Sequence, residues 1–244
     1  RAASPTSTRA RPARSGRLSV SLKDWRANPP SLLSIKKPSG LAVGDLMIAT
    51  INQYTNNSGV ALSDASLANW IKPSGVGGRY YENGNDEYWG VVLYKFADAA
   101  DVAASNFTFQ GDADADDIQG SIIAFSGVDE STPFDAIGSF TTSATLNTTL
   151  IANSISTTVP NTAIVMLAFI SDNQSFSGWT STSPSLLTEL FDRAFNAAVD
   201  MGIGGAWATK TNIGQTGNGT VTIANNVAEP ERCGVIQMAE TGEA

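Results

Sequence analysis

The sequence predicts an all-β protein: a two-sheet sandwich or jelly roll of about ten strands, built from two similar halves behind an extended N-terminal arm. Composition is the first observation behind this prediction. The 244 residues are 42% hydrophobic and only 16% charged, with 22 glycines and 10 prolines, as in turn-rich β proteins. Short apolar or alternating runs between turn residues are the second observation, and the repeated order of those runs is the third.

The pattern divides the chain into three segments. Residues 1–31 are rich in Arg, Pro and Ser and cannot bury enough apolar surface to fold alone, so they form the predicted arm. Within the arm, residues 18–22 alternate between apolar and polar types and could pair as one strand. Residues 32–140 and 141–244 are the two predicted β halves. The short polar linker between them favours one body with a shared core.

The first half contains several strong strand signals. Residues 46–51 are apolar on both faces, which is expected of a central strand. Asn83-Gly84 supplies the positive φ of a tight turn and predicts a hairpin. The run 90–97 is the next strand, residues 106–110 alternate cleanly, and a further apolar strand spans 120–127.

The second half repeats this order of elements. Only residues 185–198 have apolar side chains near helical spacing; their counterpart in the first half is the hairpin, so a strand is equally open there. Similar offsets between landmarks favour an internal duplication, although Trp179 and Trp70 differ by 179 − 70 = 109 because the loop lengths differ. The offset is 210 − 95 = 115 between two lysines, 223 − 109 = 114 between the ends of two alternating strands, and 234 − 120 = 114 between two glycines that begin strands. The matched runs are 151–159 with 32–35, 162–170 with 46–51, 204–210 with 90–95, 220–223 with 106–109 and 234–240 with 120–127.

Missing residue types exclude several functions. The chain has no histidine, which removes Ser-His-Asp and Cys-His catalysis and His-ligated zinc. The single cysteine, Cys233, cannot form a disulfide within the chain and is expected to be a small apolar side chain. No apolar run approaches 18 residues, so no membrane span is expected. We therefore expect a non-enzymatic protein without a cofactor.

Charge is distributed unevenly along the chain. Residues 1–37 carry nine Lys/Arg and one acid, or +8, whereas the remainder carries six basic and twenty-two acidic residues, or −16, which together give −8. An acidic body with a basic arm predicts that the arm binds an acidic protein surface, or phosphates, or stays solvated. With one aromatic residue, the arm does not favour nucleic acid. The predicted partner-binding residues are Arg9, Arg11, Arg14, Arg17, Lys23, Trp25 and Arg26.

The aromatic hairpin is a candidate glycan-binding surface. Aromatic faces beside acids and amides are how proteins build sugar sites. The simpler interpretation, which the pattern favours, is cross-strand aromatic pairing that holds the hairpin together. The candidate residues are Tyr80, Tyr81, Tyr88 and Trp89.

An alternating acidic run is a weak candidate for a hard cation. Asp112, Asp114 and Asp116 have the spacing of oxygen ligands, but a calcium loop needs Gly where Asp117 stands and Glu where Ile123 stands. A solvated acidic loop is the favoured interpretation, so no metal site is predicted.

A family resemblance rests on short motifs. Gly44-Asp45-Leu46, Trp70, Tyr94-Lys95 and the run 124–129 with Pro133 resemble β-sandwich, jelly-roll-like accessory proteins of tailed-phage virions and some bacterial surfaces. The resemblance covers mainly residues 40–135 and more weakly 160–240. It implies a virion exterior or tail component and carries over no functional residues.

These observations lead to one functional expectation with two alternatives. The expectation is a capsid decoration (cement) or tail-associated protein on the virion exterior, anchored by its basic arm to other virion subunits as a homo-oligomer or lattice. The first alternative is a carbohydrate-binding adhesin at an extracellular or cell surface. The second is a jelly-roll capsid protein whose arm touches the genome.

Overall fold

The protein is nearly all β. A computed structural model describes the backbone of residues 19–26, 32–55, 69–83, 86–111, 115–143, 148–195, 200–224 and 233–240, and the side chains of 32–55, 69–78, 87–111, 117–142, 148–195 and 200–224. Over these ranges the chain forms eighteen strands and one short helix. The all-β prediction is confirmed.

The strands follow one another with little other regular structure between them. The elements up to residue 125 are β1 (Ser19–Arg26), β2 (Leu32–Lys36), β3 (Leu46–Thr55), β4 (Gly77–Asn83), β5 (Asp86–Phe96), α1 (Ala99–Ala103), β6 (Asn106–Gln110) and β7 (Ala115–Phe125). The elements after it are β8 (Phe134–Ile137), β9 (Thr141–Ser143), β10 (Thr149–Ala152), β11 (Ser156–Thr157), β12 (Thr162–Ile170), β13 (Phe176–Thr180), β14 (Thr188–Phe195), β15 (Met201–Lys210), β16 (Gly214–Gln215), β17 (Gly219–Ile223) and β18 (Cys233–Glu240).

Two large antiparallel sheets organise the molecule. The first has the strand order β1-β7-β3-β5-β4, and the second has the order β14-β15-β12-β18-β8, with β9 also paired to β18. When the second order is reversed to β8-β18-β12-β15-β14, its strands correspond one by one to those of the first sheet. β3 and β12 are then the two central strands. Three of the five matched pairs of runs lie in corresponding strands of these sheets, namely β3 with β12, β5 with β15 and β7 with β18. A common origin of the two halves stays a prediction.

Smaller sheets cover the outer faces of the large ones. The pair β2-β6 packs its apolar side chains, such as Leu33 and Phe109, against the outer face of the first large sheet. The sheet β10-β17-β13 packs Leu150, Val221 and Trp179 against the outer face of the second. Each large sheet therefore forms a sandwich with a small sheet.

The inner faces of the two large sheets pack against each other. One continuous core contains Leu46 and Ile48 of β3 together with Val165 and Leu167 of β12. The order of layers is small sheet, large sheet, large sheet, small sheet. β3 and β12 lie in the middle layers, so both of their faces are buried, and this is why β12 and residues 46–49 of β3 are apolar without alternation. The predicted strand 162–170 has the bounds of β12.

Close approach of the large sheets depends on a glycine. An ideal Cβ on Gly90 of β5 would lie 2.8 Å from Cγ of Phe169 in β12. The Phe169 ring therefore lies directly on the backbone of the opposite sheet, where no side chain would fit. A hydrogen bond also crosses this interface, because Nδ2 of Asn52 donates to the carbonyl of Gly202 at 3.4 Å.

Helix α1 was not predicted from the sequence. Its N-cap, Asp98, accepts from the N–H of Asp101, and the Asp101 carboxylate accepts from the N–H of Asp98, a reciprocal capping box. Nζ of Lys95 donates to the Asp101 carboxylate at 2.8 Å. The spacing of Asp98 and Asp101 is the sequence signal for this helix, although its five residues are too few for a periodic pattern.

At three places, pairing with a distant strand decides the structure, rather than the local sequence. Residues 188–195, for which helix and strand were both open, form an edge strand of the second large sheet. β8 precedes the predicted boundary at residue 140 yet pairs with β18 of the second large sheet. β1, inside the predicted arm, pairs along its whole length with β7.

A Gly90→Ala substitution tests the packing of the two large sheets. The added methyl group clashes with the Phe169 ring, so we expect the free energy of unfolding to fall by about 1–3 kcal/mol. Gly78, the neighbour of Gly90 across the β4–β5 ladder, is the matched control because its Cβ would find no atom within 4 Å. Urea denaturation should show Gly78→Ala changed by less than about 0.5 kcal/mol. Equal losses in both variants would contradict the packing.

Candidate functional site

The basic N-terminal segment enters the body through β1 at the edge of the first large sheet. Eight consecutive residues of β1 pair antiparallel with β7, from Ser19 opposite Ala124 to Arg26 opposite Asp117. Lys23, Trp25 and Arg26, three of the predicted partner-binding residues, lie in this ladder. The other arm arginines lie outside the described residues, namely Arg9, Arg11, Arg14 and Arg17.

β1 is held by more than its ladder. Besides pairing with β7, it lies against β2 of the small sheet and β14 of the second large sheet. It is the last strand of its sheet in the described part of the chain, so one edge faces away from β7. A partner bound to the residues before Ser19 is therefore tethered to a strand that contacts both halves.

Three carboxylates lie at the end of the sheet where β1 begins. Asp45 precedes β3, and Asp129 and Glu130 follow β7; this acidic end (Asp45, Asp129 and Glu130) adjoins the pair Leu46–Phe125. Hydrogen bonds donated by the hydroxyl and N–H of Ser131 and the hydroxyl of Thr132 hold the pKa of Asp129 below its ordinary value. The three carboxylates make the acidic end complementary to an arginine-rich segment.

The aromatic hairpin does not present its candidate residues as one surface. Tyr88 is buried in the core between the large sheets, with its ring centroid 4.8 Å from that of Tyr54. Trp89 lies on the opposite face of β5, half-buried, and its Nε1 donates to the buried Glu87 at 2.9 Å. The side chains of Tyr80 and Tyr81 lie outside the described residues. Tyr88 therefore holds the hairpin rather than faces a ligand.

The acidic run predicted as a weak cation candidate is only partly described. Asp112 and Asp114 lie outside the described residues, and Asp116 is described only as backbone of β7. Among the residues with described side chains, no group of three acidic or cysteine residues is arranged to hold a metal ion. The absence of a metal site at the run itself stays a prediction.

Buried polar residues between the large sheets were not anticipated from the sequence. Thr50 and Asn52 of β3 lie directly opposite Ser121 and Gln119 of β7, and all four are fully buried. At the positions of β12 that correspond to Thr50 and Asn52, the residues are Val165 and Leu167, which belong to the core between the large sheets. The signal in the sequence was available, because polar residues continue the β3 run at every second position beyond Ile48. The hydroxyls of Thr50 and Ser121 and the side-chain amide of Gln119 have no hydrogen-bond partner among the described residues.

One carboxyl group on the outer face of the second large sheet is electrostatically unusual. Burial raises the pKa of Asp192 in β14 to about 6, and the charge of Glu189 acts in the same direction. The N–H of Phe176 donates to Oδ2 of Asp192 at 3.0 Å and opposes the rise. Glu189 in turn accepts from Nε1 of Trp179 at 3.1 Å. These contacts fasten the small-sheet strand β13 to the edge strand β14.

No helix in the described part of the chain has the length and apolar character needed to cross a bilayer. Comparison of the chain with protein-family models, with curated protein sequences and with solved structures found no match. The fold and the geometry described above are therefore the basis for a functional proposal.

Acid titration of an Asp192→Asn variant tests the Asp192 environment. A raised folded-state pKa means that protonated Asp192 stabilises the fold at pH values below about 4, and that this contribution is lost as the pH rises through about 6. The half-buried position limits the effect to ~1 kcal/mol. We expect the variant to gain stability relative to wild type as the pH rises from about 4 to 7, measured by urea denaturation.

Asp129→Asn is the matched control for this titration. Its lowered pKa predicts the opposite sign, because hydrogen bonds to the charged form stabilise the fold above pH 3.8 and are lost on acidification. A pH-independent difference between wild type and Asp192→Asn would contradict the assigned environment.

Proposed function

We propose that this chain is a non-enzymatic structural protein of a virion exterior, a capsid decoration or tail-associated protein whose basic N-terminal segment binds acidic surfaces of neighbouring subunits. The observation that supports it is the separation of charge, +8 in residues 1–37 and −16 in the remainder, together with the entry of the basic segment through edge strand β1. A segment joined to an edge strand can leave the body without disturbing its core.

Neighbouring copies offer a complementary surface for this segment. Each copy carries the acidic end, in which hydrogen bonds from Ser131 and Thr132 lower the pKa of Asp129. Oppositely charged patches on one chain favour association between copies in a repeating arrangement. A homo-oligomer or lattice is therefore the proposed assembly, with other virion proteins as further partners.

The two alternatives differ in what they require of the structure. A carbohydrate-binding adhesin needs aromatic residues exposed on one face, and Tyr88 is buried while Trp89 lies on the other face of β5. This favours the structural proposal over the adhesin. A capsid protein that touches the genome uses the same arginines, so nucleic acid binding has to be measured separately.

The structure shows where the segment should be altered. Removal of residues 1–30 would also delete β1 and uncover β7, whereas removal of residues 1–18 keeps the β1 ladder. A milder variant replaces Arg9, Arg11, Arg14 and Arg17 with Gln and preserves the chain length. Both variants should keep the melting temperature of the full chain, which is the control for folding.

Sedimentation velocity on the full chain and these variants tests the proposal. Self-association of the full chain is expected at about 20 mM salt, and loss of association in both variants and at about 500 mM salt, because screening shortens the range of charge interactions. A short DNA duplex added at about 150 mM salt should leave the sedimentation unchanged; a shift would favour the genome-binding alternative. Identical sedimentation of full chain and variants under all conditions would overturn the arm mechanism.

The virion assignment has its own test. Mass spectrometry of purified particles should find the chain in a fixed copy number relative to the major capsid protein. Its absence from particles would overturn the assignment and leave the self-association result standing.

A further inference from the structure

The edge strands of the two large sheets differ in how regularly they pair. β4, β14 and β8 each have a register shift against the neighbouring strand, and β9, which pairs beside β8, has only three residues. Bulges and short lengths are ways in which proteins keep an edge strand from pairing with another chain. β1 pairs with β7 over eight consecutive residues without a shift, so it has neither protection.

Backbone hydrogen bonds of β5 show which way its residues direct their main-chain groups. In an antiparallel sheet, the N–H and C=O of one residue point to one neighbouring strand, and those of the next residue point to the other. The N–H groups of Val92 and Tyr94 donate to the carbonyls of Val76 and Ile71, at 3.1 and 2.8 Å, on the side of β5 away from β3. Leu93, between them, therefore directs its main-chain groups to β3.

The same alternation continues across the sheet to β1. The residue opposite Leu93 in β3 bonds to β5, so the next residue, Thr50, directs its main-chain groups to β7, where it is opposite Ser121. Gly120, which precedes Ser121, then bonds to β1 and is opposite Lys23. Every second residue of β1, counted from Lys23, therefore bonds to β7. The outward residues of β1, whose N–H and C=O point away from β7, are Val20, Leu22, Asp24 and Arg26.

We propose that the outward edge of β1 pairs antiparallel with the same edge of a second copy of the chain, about a two-fold axis. A second copy is the partner that fits, because its β1 is an equally regular edge, whereas the other edge strands of the large sheets are protected. Two-fold pairing is closed, so it joins two copies. A register centred on Leu22 keeps the two copies of Lys23 from lying directly opposite each other, which like charges disfavour.

This inference rests on the proposed self-association and adds the contact that orients two copies. Residues 1–18 lead directly into β1 and can span roughly 60 Å when extended, more than the length of the β1 ladder. The arm of one copy can therefore reach the acidic end of the other while their β1 strands pair. Each backbone hydrogen bond adds little net free energy and association has an entropic cost, so we do not expect the edge to hold two copies without the arm.

Amide hydrogen exchange of the full chain tests the pairing without a substitution. The chain exchanges in D2O at about 20 mM salt, where it is expected to associate, and is then read by NMR after dissociation at about 500 mM salt. The outward residues should exchange about tenfold more slowly, or slower still, than in a sample kept at about 500 mM salt throughout. Ser21 and Lys23 are the internal controls: their N–H groups bond to β7, so they should be protected equally in both samples.

An Asp24→Pro variant tests the same contact by sedimentation velocity. Proline removes an outward N–H and is tolerated in an edge strand where that N–H faces away from the sheet. Association at about 20 mM salt should weaken about tenfold or more, while the Tm stays that of wild type. Lys23→Pro is the matched control, since it removes an N–H that bonds to β7 and should lower the Tm.

Three results would overturn the pairing. Association of wild type with unchanged exchange at the outward residues would overturn it and leave the arm mechanism standing. Equal protection of the outward residues at both salt concentrations would show that they are covered within one chain. A wild type that stays monomeric at about 20 mM salt would overturn the pairing together with the proposed assembly.

Discussion

Face-to-face packing of the two large sheets is the constraint on which the rest of the structure depends. The Phe169 ring lies on the backbone at Gly90, and the apolar inner faces of β3 and β12 are buried together. Each large sheet therefore needs a separate cover for its outer face, and the small sheets provide it. Four layers, rather than the two of a simple sandwich, follow from burying both faces of two sheets in one body.

Strand signals in the sequence predicted more of the fold than of the candidate site. Continuous apolar runs located β3 and β12, because a strand buried on both faces lacks alternation. Residues 188–195 could not be assigned from periodicity, since their strand state is fixed by pairing with β15. The layer order could not be predicted either, because the strand pattern is the same whichever sheet covers a face.

Some electrostatic features can be predicted from the local sequence, whereas others depend on the tertiary structure. The basic segment was visible in the sequence, since its charges are consecutive. The burial of Lys210 was not, because a lysine at a strand end ordinarily reaches solvent. The contrast between Lys95 with its Asp101 partner and Lys210 without one emerges only when the halves are compared in three dimensions.

The contact of Gly90 with Phe169 joins the two large sheets around one core. The most direct measurement is a nuclear Overhauser spectrum of the full chain, with the Hα protons of Gly90 assigned. We expect cross-peaks from these protons to the Phe169 ring and an upfield ring-current shift of the Hα resonances, because the ring lies over the glycine. Random-coil Hα shifts without cross-peaks to any residue of the second half would contradict it.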